Sequence, residues 1–290
     1  LEKCPLSVIV LTFNEEVNLR ACLESVKDLT DEIFIVDSFS TDKTQEIARE
    51  YTEKFYQNPW THGAAQRDWA LRNLPFTHAW ILFLDADERL TPALRKEIDT
   101  VIRQEMQSPR FGGFYVPRKF FFLGKQLRWG GCRGGLKEMR LCHRQYLDIK
   151  ERAGREIYVS LKKVSSLKEY IIHNDQKPLA AWIDRHNCYS SQEGEYLWKI
   201  SQAAPRSSLG RQIAASDRRL YWKEVFRERI WHRMPLGFRP TLMFLYNYFI
   251  RLGFLDGKAG FVYHFLHNYW YRFLIDAKYY EIKTIKKLTL

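Results

Sequence analysis

With 290 residues, 46% of them hydrophobic and 15% aromatic, the chain carries enough apolar surface for one large domain or a domain with an appendage, which excludes global disorder. Its formal net charge of +12 implies attraction to a polyanion, whether nucleic acid, anionic lipid or a phosphorylated glycan. The five cysteines lie far apart except Cys132 and Cys142, and none forms a Cys-x-x-Cys pair, which argues against a disulfide framework or structural zinc and fits a reducing cytoplasm.

Residues 6–11 form a short apolar strand with no basic leader before it, an arrangement that predicts a cytoplasmic-side protein. Thr12-Phe13-Asn14 then turns the chain into a helix carrying Leu19, Cys22, Leu23 and Val26 at helical spacing. Residues 32–37 give the next strand, and Ser38-Phe39-Ser40-Thr41 supplies capping hydroxyls for a helix with Ile47, Ala48 and Tyr51 on its apolar side. Residues 54–56 form a third short strand, 63–71 another helix, and 80–84 return to the sheet. Strands alternating with helices predict an α/β fold with an open, mostly parallel central sheet flanked by helices. Ligands of such sheets bind beyond the carboxyl ends of the strands, so Phe13-Asn14, Asp37-Ser38 and Asp85-Ala86-Asp87 are expected on one edge.

The run Ile81-Leu82-Phe83-Leu84-Asp85-Ala86-Asp87-Glu88 drives a strand buried on both faces into two carboxylates. In extended backbone Asp85 and Asp87 point the same way and Ala86 the opposite way, which suits them to one divalent cation shared with a diphosphate. The competing reading is an acidic turn before a helix, and Thr91 as N-cap with Pro92 at the first position explains that helix start without using either aspartate.

Residues 111–172 change to short strands separated by glycine-rich turns, including Gly130-Gly131 and Gly134-Gly135. Residues 179–199 read as a helix and 202–210 as the best linker, so that 1–200 is the expected catalytic domain and 201–290 a basic, aromatic helical extension. Residues 206–239 interleave arginines with Leu220, Tyr221, Trp222, Val225, Phe226, Ile230 and Trp231, a pattern suited to an anionic membrane surface. Residues 241–252 are too short to span a bilayer straight, and residues 261–275 are interrupted by His264, His267, Asn268 and Arg272, which favours an interfacial or re-entrant helix. The alternative is that these aromatics pack a helical appendage.

Four motifs in order then resemble the inverting family 2 glycosyltransferases with the GT-A fold, and more narrowly the bacterial branch similar to lipopolysaccharide core glucosyltransferases. They are Val10-Leu11-Thr12-Phe13-Asn14-Glu15-Glu16, Ile35-Val36-Asp37-Ser38-Phe39-Ser40-Thr41-Asp42, Gly63-Ala64-Ala65-Gln66-Arg67 and Leu84-Asp85-Ala86-Asp87-Glu88. Ile172-His173-Asn174-Asp175, Arg185-His186-Asn187-Cys188-Tyr189-Ser190 and Leu252-Gly253-Phe254-Leu255-Asp256-Gly257 extend the resemblance to that branch.

The resemblance implies a nucleotide-diphosphate sugar as donor, a UDP-hexose above all, and Mg²⁺ or Mn²⁺ as cofactor. Thr12, Phe13, Asn14 and Glu15 would wrap base and ribose, Asp37 with Ser38 would meet the nucleobase, and Gln66 and Arg67 would brace the donor pocket. Arg67 is equally suited to a structural salt bridge with an acid at the strand ends. Asp85 and Ala86 would line the ribose and diphosphate, and Asp87 with Asp85 would hold the metal. The inverting base is expected to be Glu156, with Asp175 second. His173 and His186 are candidates for acceptor phosphate or sugar, or ordinary hydrogen-bonded histidines.

The expected acceptor is a lipid-linked saccharide such as lipopolysaccharide core, reached at the cytoplasmic face of the bacterial inner membrane by a peripheral or monotopic protein. The alternative within the same chemistry is transfer to a polyprenyl phosphate, which needs no base. A nucleic-acid partner is not expected, because no recognition helix or RNA-binding aromatic signature accompanies the basic residues. A catalytically dead scaffold is disfavoured by the intact Asp37, Asp85 and Asp87.

Overall fold

Alternation of apolar side chains on the first strands builds two cores at once. In the computed structural model, which describes residues 2–132, 136–152, 155–202 and 234–288, strands β1 (Leu6–Thr12), β2 (Glu32–Asp37) and β4 (Trp80–Asp85) are almost wholly buried. Leu6, Val8, Val10, Ile35, Leu82 and Leu84 face one core, and Ile9, Phe34, Val36, Ile81 and Phe83 face the other. Helix α1 (Leu19–Glu24) covers the first face with Leu19, Cys22 and Leu23, and helix α3 (Gly63–Asn73) contributes Ala70 to the second. Each fully buried Phe, Leu or Ile contributes about 1.5–3 kcal/mol relative to exposure, so the inner strands anchor the fold.

Strand β3 (Phe55–Gln57) and helix α2 (Thr44–Arg49) complete a parallel β3-β2-β1-β4 block. Helix α4 (Pro92–Glu105) starts as expected: Thr91 Oγ1 accepts from Leu94 N at 3.1 Å with proline in the first turn, and Leu94, Ile98 and Ile102 are buried at four-residue spacing.

The expectation of a mostly parallel sheet of the GT-A type is corrected beyond β4. Strands β5 (Glu88–Leu90), β6 (Gly113–Phe122), β7 (Lys125–Leu127), β8 (Leu136–His143), β11 (Val164–Ser166) and β12 (Ile171–His173) extend the sheet in the order β3-β2-β1-β4-β8-β6-β12-β5, with β7 and β11 also on β6. The pairings β4/β8, β6/β8, β6/β7 and β5/β12 are antiparallel, so the ten-stranded sheet is mixed. Connection length accounts for one of these pairs: β6 and β7, joined by Leu123-Gly124, close as a hairpin, whereas β4/β8 and β5/β12 are antiparallel across long connections. Strands β9 (Leu147–Arg152) and β10 (Arg155–Ser160) pair separately, antiparallel.

The chain divides into two compact units, Leu1–Leu179 and Ala180–Leu290. The second contains nearly all of helix α5 (Leu179–Gln202) and helix α6 (Phe238–Leu245), which runs into a π-helical turn, Tyr246–Ile250. A 3-10 turn, Gly253–Asp256, leads to helix α7 (Gly257–Tyr263), a second π-helical stretch, His264–Trp270, and helix α8 (Tyr271–Leu288). Among the described residues no helix is long and apolar enough to cross a membrane. The turn glycines Gly134 and Gly135, all but the first residue of the linker expected at 202–210, and the arginine-rich stretch to residue 233 lie outside the described residues, while Gln202 ends helix α5.

Candidate active site

Strand register sets the site. Thr12 pairs with Asp37, Leu11 with Asp85 and Asp37 with Gln57, so the carboxyl ends of β1, β2, β3 and β4 form one edge. Asp37 is fully buried; its Oδ1 accepts from Thr12 Oγ1 at 2.8 Å and Ser40 Oγ at 2.5 Å, and its Oδ2 from Ser40 N at 2.8 Å and Gln57 Nε2 at 3.4 Å. This carboxylate therefore joins the loops after β1 and β2. Asn14 reinforces the join, donating its N–H to Ser40 Oγ at 2.8 Å and accepting from Thr41 N at 2.8 Å.

Two residues of these loops sit in the left-handed region, Asn14 at φ 52° and Phe39 at φ 61°. Asn tolerates that region; Phe rarely adopts it, and such a residue persists only where its surroundings over-determine it, which happens most at functional sites. Phe13 and Phe39 are both about half exposed, leaving two aromatic faces at this edge.

Helix α3 reads the same edge from above. His62 caps it by accepting from Ala65 N at 3.1 Å. Gln66, buried, donates to Ser38 Oγ at 3.0 Å and to the Asn58 carbonyl at 3.0 Å, and accepts from Asn58 Nδ2 at 2.6 Å. One turn position later, Arg67 donates to Asp85 Oδ1 at 2.6 Å. The Gly-Ala-Ala-Gln-Arg motif thus holds the end of β2 with one side chain and the end of β4 with the next.

Asp85 and Asp87 have different environments. Strand β4 ends at Asp85 and Ala86-Asp87 form a turn into β5, so the extended geometry expected across the three residues is replaced by a bend, with Ala86 buried. Asp85 accepts from Arg67 at one oxygen and from Arg140 Nη2 at the other, both at 2.6 Å. Burial favours its neutral form, yet Arg140 and Arg67 outweigh it and hold the carboxyl well below the usual range. Asp87 has no such compensation. Its Oδ1 is buried without a hydrogen-bond partner, and burial with the neighbouring Asp85, Glu88 and Asp175 charges pushes its carboxyl up against the pull of His173.

Glu88 is fully buried and serves as the hub: it accepts from Asp85 N at 3.1 Å, from Arg140 at 2.9 Å and from Arg118 at 3.4 Å. Despite burial its carboxyl is held below the ordinary value, chiefly by Arg140. Sequence reasoning missed Glu88, Arg118 and Arg140; an arginine between Met139 and Leu141 in an otherwise buried strand was the available signal.

His173 on β12 is stacked on Phe120 with ring centroids 5.1 Å apart, and its Nδ1 lies 3.5 Å from Asp87 Oδ1. That nitrogen too is buried without a hydrogen-bond partner. After β12, Asn174 N donates to the Asp87 carbonyl at 2.9 Å, Asp175 Oδ1 accepts from Asn18 Nδ2 at 2.9 Å, and Lys177 Nζ meets Glu15 Oε1 at 2.6 Å and the Phe13 carbonyl at 3.1 Å. This strap ties the Asp87 turn to the loop after β1. Burial pushes the Glu15 carboxyl up to about 7 despite Lys177. Glu156, on β10, stands on the other side of Arg67, with Oε1 3.1 Å from Nη1. His186 lies in the second unit, stacked on Trp182.

Among the described residues no group of three or more His, Cys, Asp or Glu side chains is placed to hold a metal by itself. The side chains that could help to hold a cation are Asp87 and His173, whose buried Oδ1 and Nδ1 make no hydrogen bond and face each other at 3.5 Å.

The family model described as glycosyl transferase family 2 matches residues 7–129. Over 269 residues the chain is 34% identical to an uncharacterized glycosyltransferase of Rickettsia conorii, RC0292, covering 85% of this chain and 88% of that one. It is 26% identical over 297 residues to the lipopolysaccharide core biosynthesis glycosyltransferase LpsC of Rhizobium meliloti, covering 99% and 96% respectively. Among solved structures, S. aureus TarS 1-349 in complex with UDP-GlcNAc superposes with a TM-score of 0.51 at 15% identity, covering 99% of this chain and 92% of that one, a likeness of fold alone.

Proposed function

Because the chain belongs to glycosyl transferase family 2, and is on that ground a glycosyltransferase, we propose that it moves a hexose from a nucleotide-diphosphate sugar, preferentially a UDP-sugar, to a lipid-linked saccharide of the lipopolysaccharide-core type at the cytoplasmic face of the inner membrane. The observation that carries this reading is the buried Asp87 Oδ1 at the carboxyl edge of the strands, which makes no hydrogen bond and faces His173 Nδ1 at 3.5 Å. A buried carboxylate pushed toward its neutral form regains a favourable charged state when a cationic ligand arrives.

In this reading the loops carrying Thr12, Phe13, Asn14 and Glu15 hold the nucleoside, with Asp37 and Ser38 fixing its base. Asp37 ties the loops with four accepted hydrogen bonds, so a base N–H would take the place of the longest of them, from Gln57 Nε2 at 3.4 Å. Asp87 would hold Mg²⁺ or Mn²⁺, with His173 facing it at 3.5 Å and free to ligate in its neutral form. When bound, the cation supplies positive charge to the diphosphate as it departs. Asp85, already neutralised by Arg67 and Arg140, positions rather than ligates, and presents its exposed third to the ribose side.

Transfer with inversion forms the bond from acceptor oxygen to anomeric carbon as the bond to phosphate breaks, sending the electron pair to the nucleoside diphosphate and the acceptor proton to a base. Glu156 is our first assignment for that base and Asp175 the second. Arg67 links Asp85 to Glu156, so one guanidinium orients the donor edge and the base together.

Gly63 makes that link possible: a Cβ there would stand 2.9 Å from Glu156 Oε2 and 3.2 Å from Arg67 Nη1. Gly63→Ala is therefore expected to cut turnover about tenfold by displacing the pair. Its thermal unfolding should stay close to the parent's, because the displaced atoms are side-chain ends.

The direct test is a thermal-shift screen of nucleotide sugars with and without Mn²⁺, followed by transfer of labelled sugar to core saccharide–lipid or polyprenyl phosphate. A metal-dependent rise in Tm with one donor, with transfer to the saccharide lipid, supports the proposal. Transfer to polyprenyl phosphate alone replaces the acceptor class. The absence of any metal-dependent donor shift overturns the donor-site assignment.

A further inference from the structure

The second unit carries a helical hairpin whose polarity is inverted. Its first arm runs from Phe238 to Ile250, its second from Gly257 to Trp270, and the rings of Phe244 and Tyr248 meet Phe261 between them. Four polar side chains lie inside, Asn247, Asp256, His264 and Asn268, each 6% exposed or less, while Thr241, Arg251 and Lys258 are exposed. Asn268 Nδ2 bonds His264 Nδ1 at 2.7 Å, and Asn247 Nδ2 bonds the Met243 carbonyl at 2.9 Å. The turn between the arms packs on the second arm through glycine: a Cβ on Gly253 would stand 2.5 Å from His264 Nε2. The large apolar side chains lie outside, with Ile250 72% exposed, Phe249 51%, Leu255 50% and Phe254 43%.

A hairpin in water buries its leucines and phenylalanines and exposes its asparagines; one in hydrocarbon satisfies polar groups internally, packs at small residues and faces its apolar side chains outward. The first arm has 13 residues, about 20 Å at 1.5 Å per residue, against a hydrocarbon core of about 30 Å. It enters one leaflet and does not cross.

Charge selects the lipid. Beyond residue 202 the sequence has sixteen lysines and arginines against six acids, while the first 202 residues hold thirty against twenty-eight, so nearly all the positive excess belongs to the hairpin's part of the chain. Such an excess repels a second copy of itself and is drawn to anionic headgroups.

We propose that the 238–270 hairpin inserts monotopically into one leaflet of an anionic bilayer, with Phe249, Ile250, Phe254 and Leu255 of its tip among the acyl chains and the exposed Arg251 reaching back to the headgroups. This deepens the proposed function, in which the acceptor is lipid-linked, but it is read without any sugar donor. A failure of vesicle binding and a failure of transfer are therefore separate results.

The full chain is sedimented with vesicles of phosphatidylethanolamine and phosphatidylglycerol, and with neutral phosphatidylcholine vesicles. The expected result is pelleting with the anionic vesicles, weakened at least about tenfold by Ile250→Ser with Leu255→Ser, while Leu123→Ser with Leu161→Ser in the first unit changes nothing. A second readout does not depend on a loss of binding. In a Cys132→Ser, Cys188→Ser background, Ile250→Cys bearing a polarity-sensitive fluorophore is expected to shift to the blue when anionic vesicles are added.

Three results would overturn the proposal. One is the full chain staying in the supernatant with both vesicles, or binding both equally. Another is the doubly substituted tip binding like the parent. The third is a fluorophore that shifts with protein concentration and not with vesicles, which would assign the surface to self-association.

Discussion

Asp87→Asn is expected to lower kcat/KM for sugar transfer by about three orders of magnitude, roughly 4 kcal/mol of transition-state stabilisation, while leaving the fold at least as stable as the parent. The two halves of that expectation have one cause. Asp87 is buried among Asp85, Glu88 and Asp175, and its carboxyl is pushed toward the neutral form, so an isosteric neutral amide relieves repulsion in the folded state. The charge that is uncomfortable in the free protein is the one a cation would use. Steady-state kinetics, urea unfolding and Mn²⁺ titration in the presence of nucleoside diphosphate check this together. An Asp87→Asn protein that retains near-parental turnover would remove the metal from this site.

The pH dependence follows in sign. A carboxyl raised in the folded state makes the unfolded chain bind fewer protons above its ordinary pKa, so Asp87 and Glu15 both make stability fall as pH rises above about 4, and for Glu15 the fall continues to about 7. Asp85, lowered in the folded state, contributes stability above the ordinary carboxylate value and loses it on further acidification. Asp87→Asn should flatten the first slope and leave the second.

Arg140→Met is expected to have the largest effect on stability. Arg140 is almost fully buried and its Nη2 serves Asp85 at 2.6 Å, Glu88 at 2.9 Å and Glu138 at 2.9 Å. Methionine fills much of the volume but leaves Glu88, fully buried, with the Asp85 N–H and the longer contacts to Arg118 at 3.4 Å and His173 at 3.8 Å. Removing one partner from a buried ion pair costs about 3–5 kcal/mol, because the other charge stays desolvated and uncompensated. For a unit of this size that corresponds to a fall in Tm of roughly 10 °C, readable by calorimetry. Combining Arg140→Met with Glu88→Gln should recover part of the loss, since the pair is then replaced and not broken. A double variant less stable than the single one would show that packing, not charge, sets the cost.

The two experiments separate residues that sequence inspection treated alike. Asp85 and Asp87 are two positions apart and chemically identical, yet one is saturated by arginines and the other holds an orphaned oxygen. The strap from His173 to Lys177 has the same character. Its link to Asn18 and Glu15 joins segments about 160 residues apart and is formed only once β12 is seated between β6 and β5.

The sequence by itself determined the first half of the architecture. Apolar runs of four or five residues bounded by polar ones read as strands buried on both faces, capping hydroxyls and Pro92 set the helix starts, and the polar residues ending those runs reach the carboxyl edge together. These are short-range consequences of periodicity and sterics. What only the tertiary structure decided is the mixed sheet beyond β4 and the charge state of the site. Glu88 receives Arg140 from 52 positions later and Arg118 from 30, and which aspartate is left uncompensated depends on the strand order β4-β8-β6-β12, a long-range arrangement that no local pattern of residues encodes.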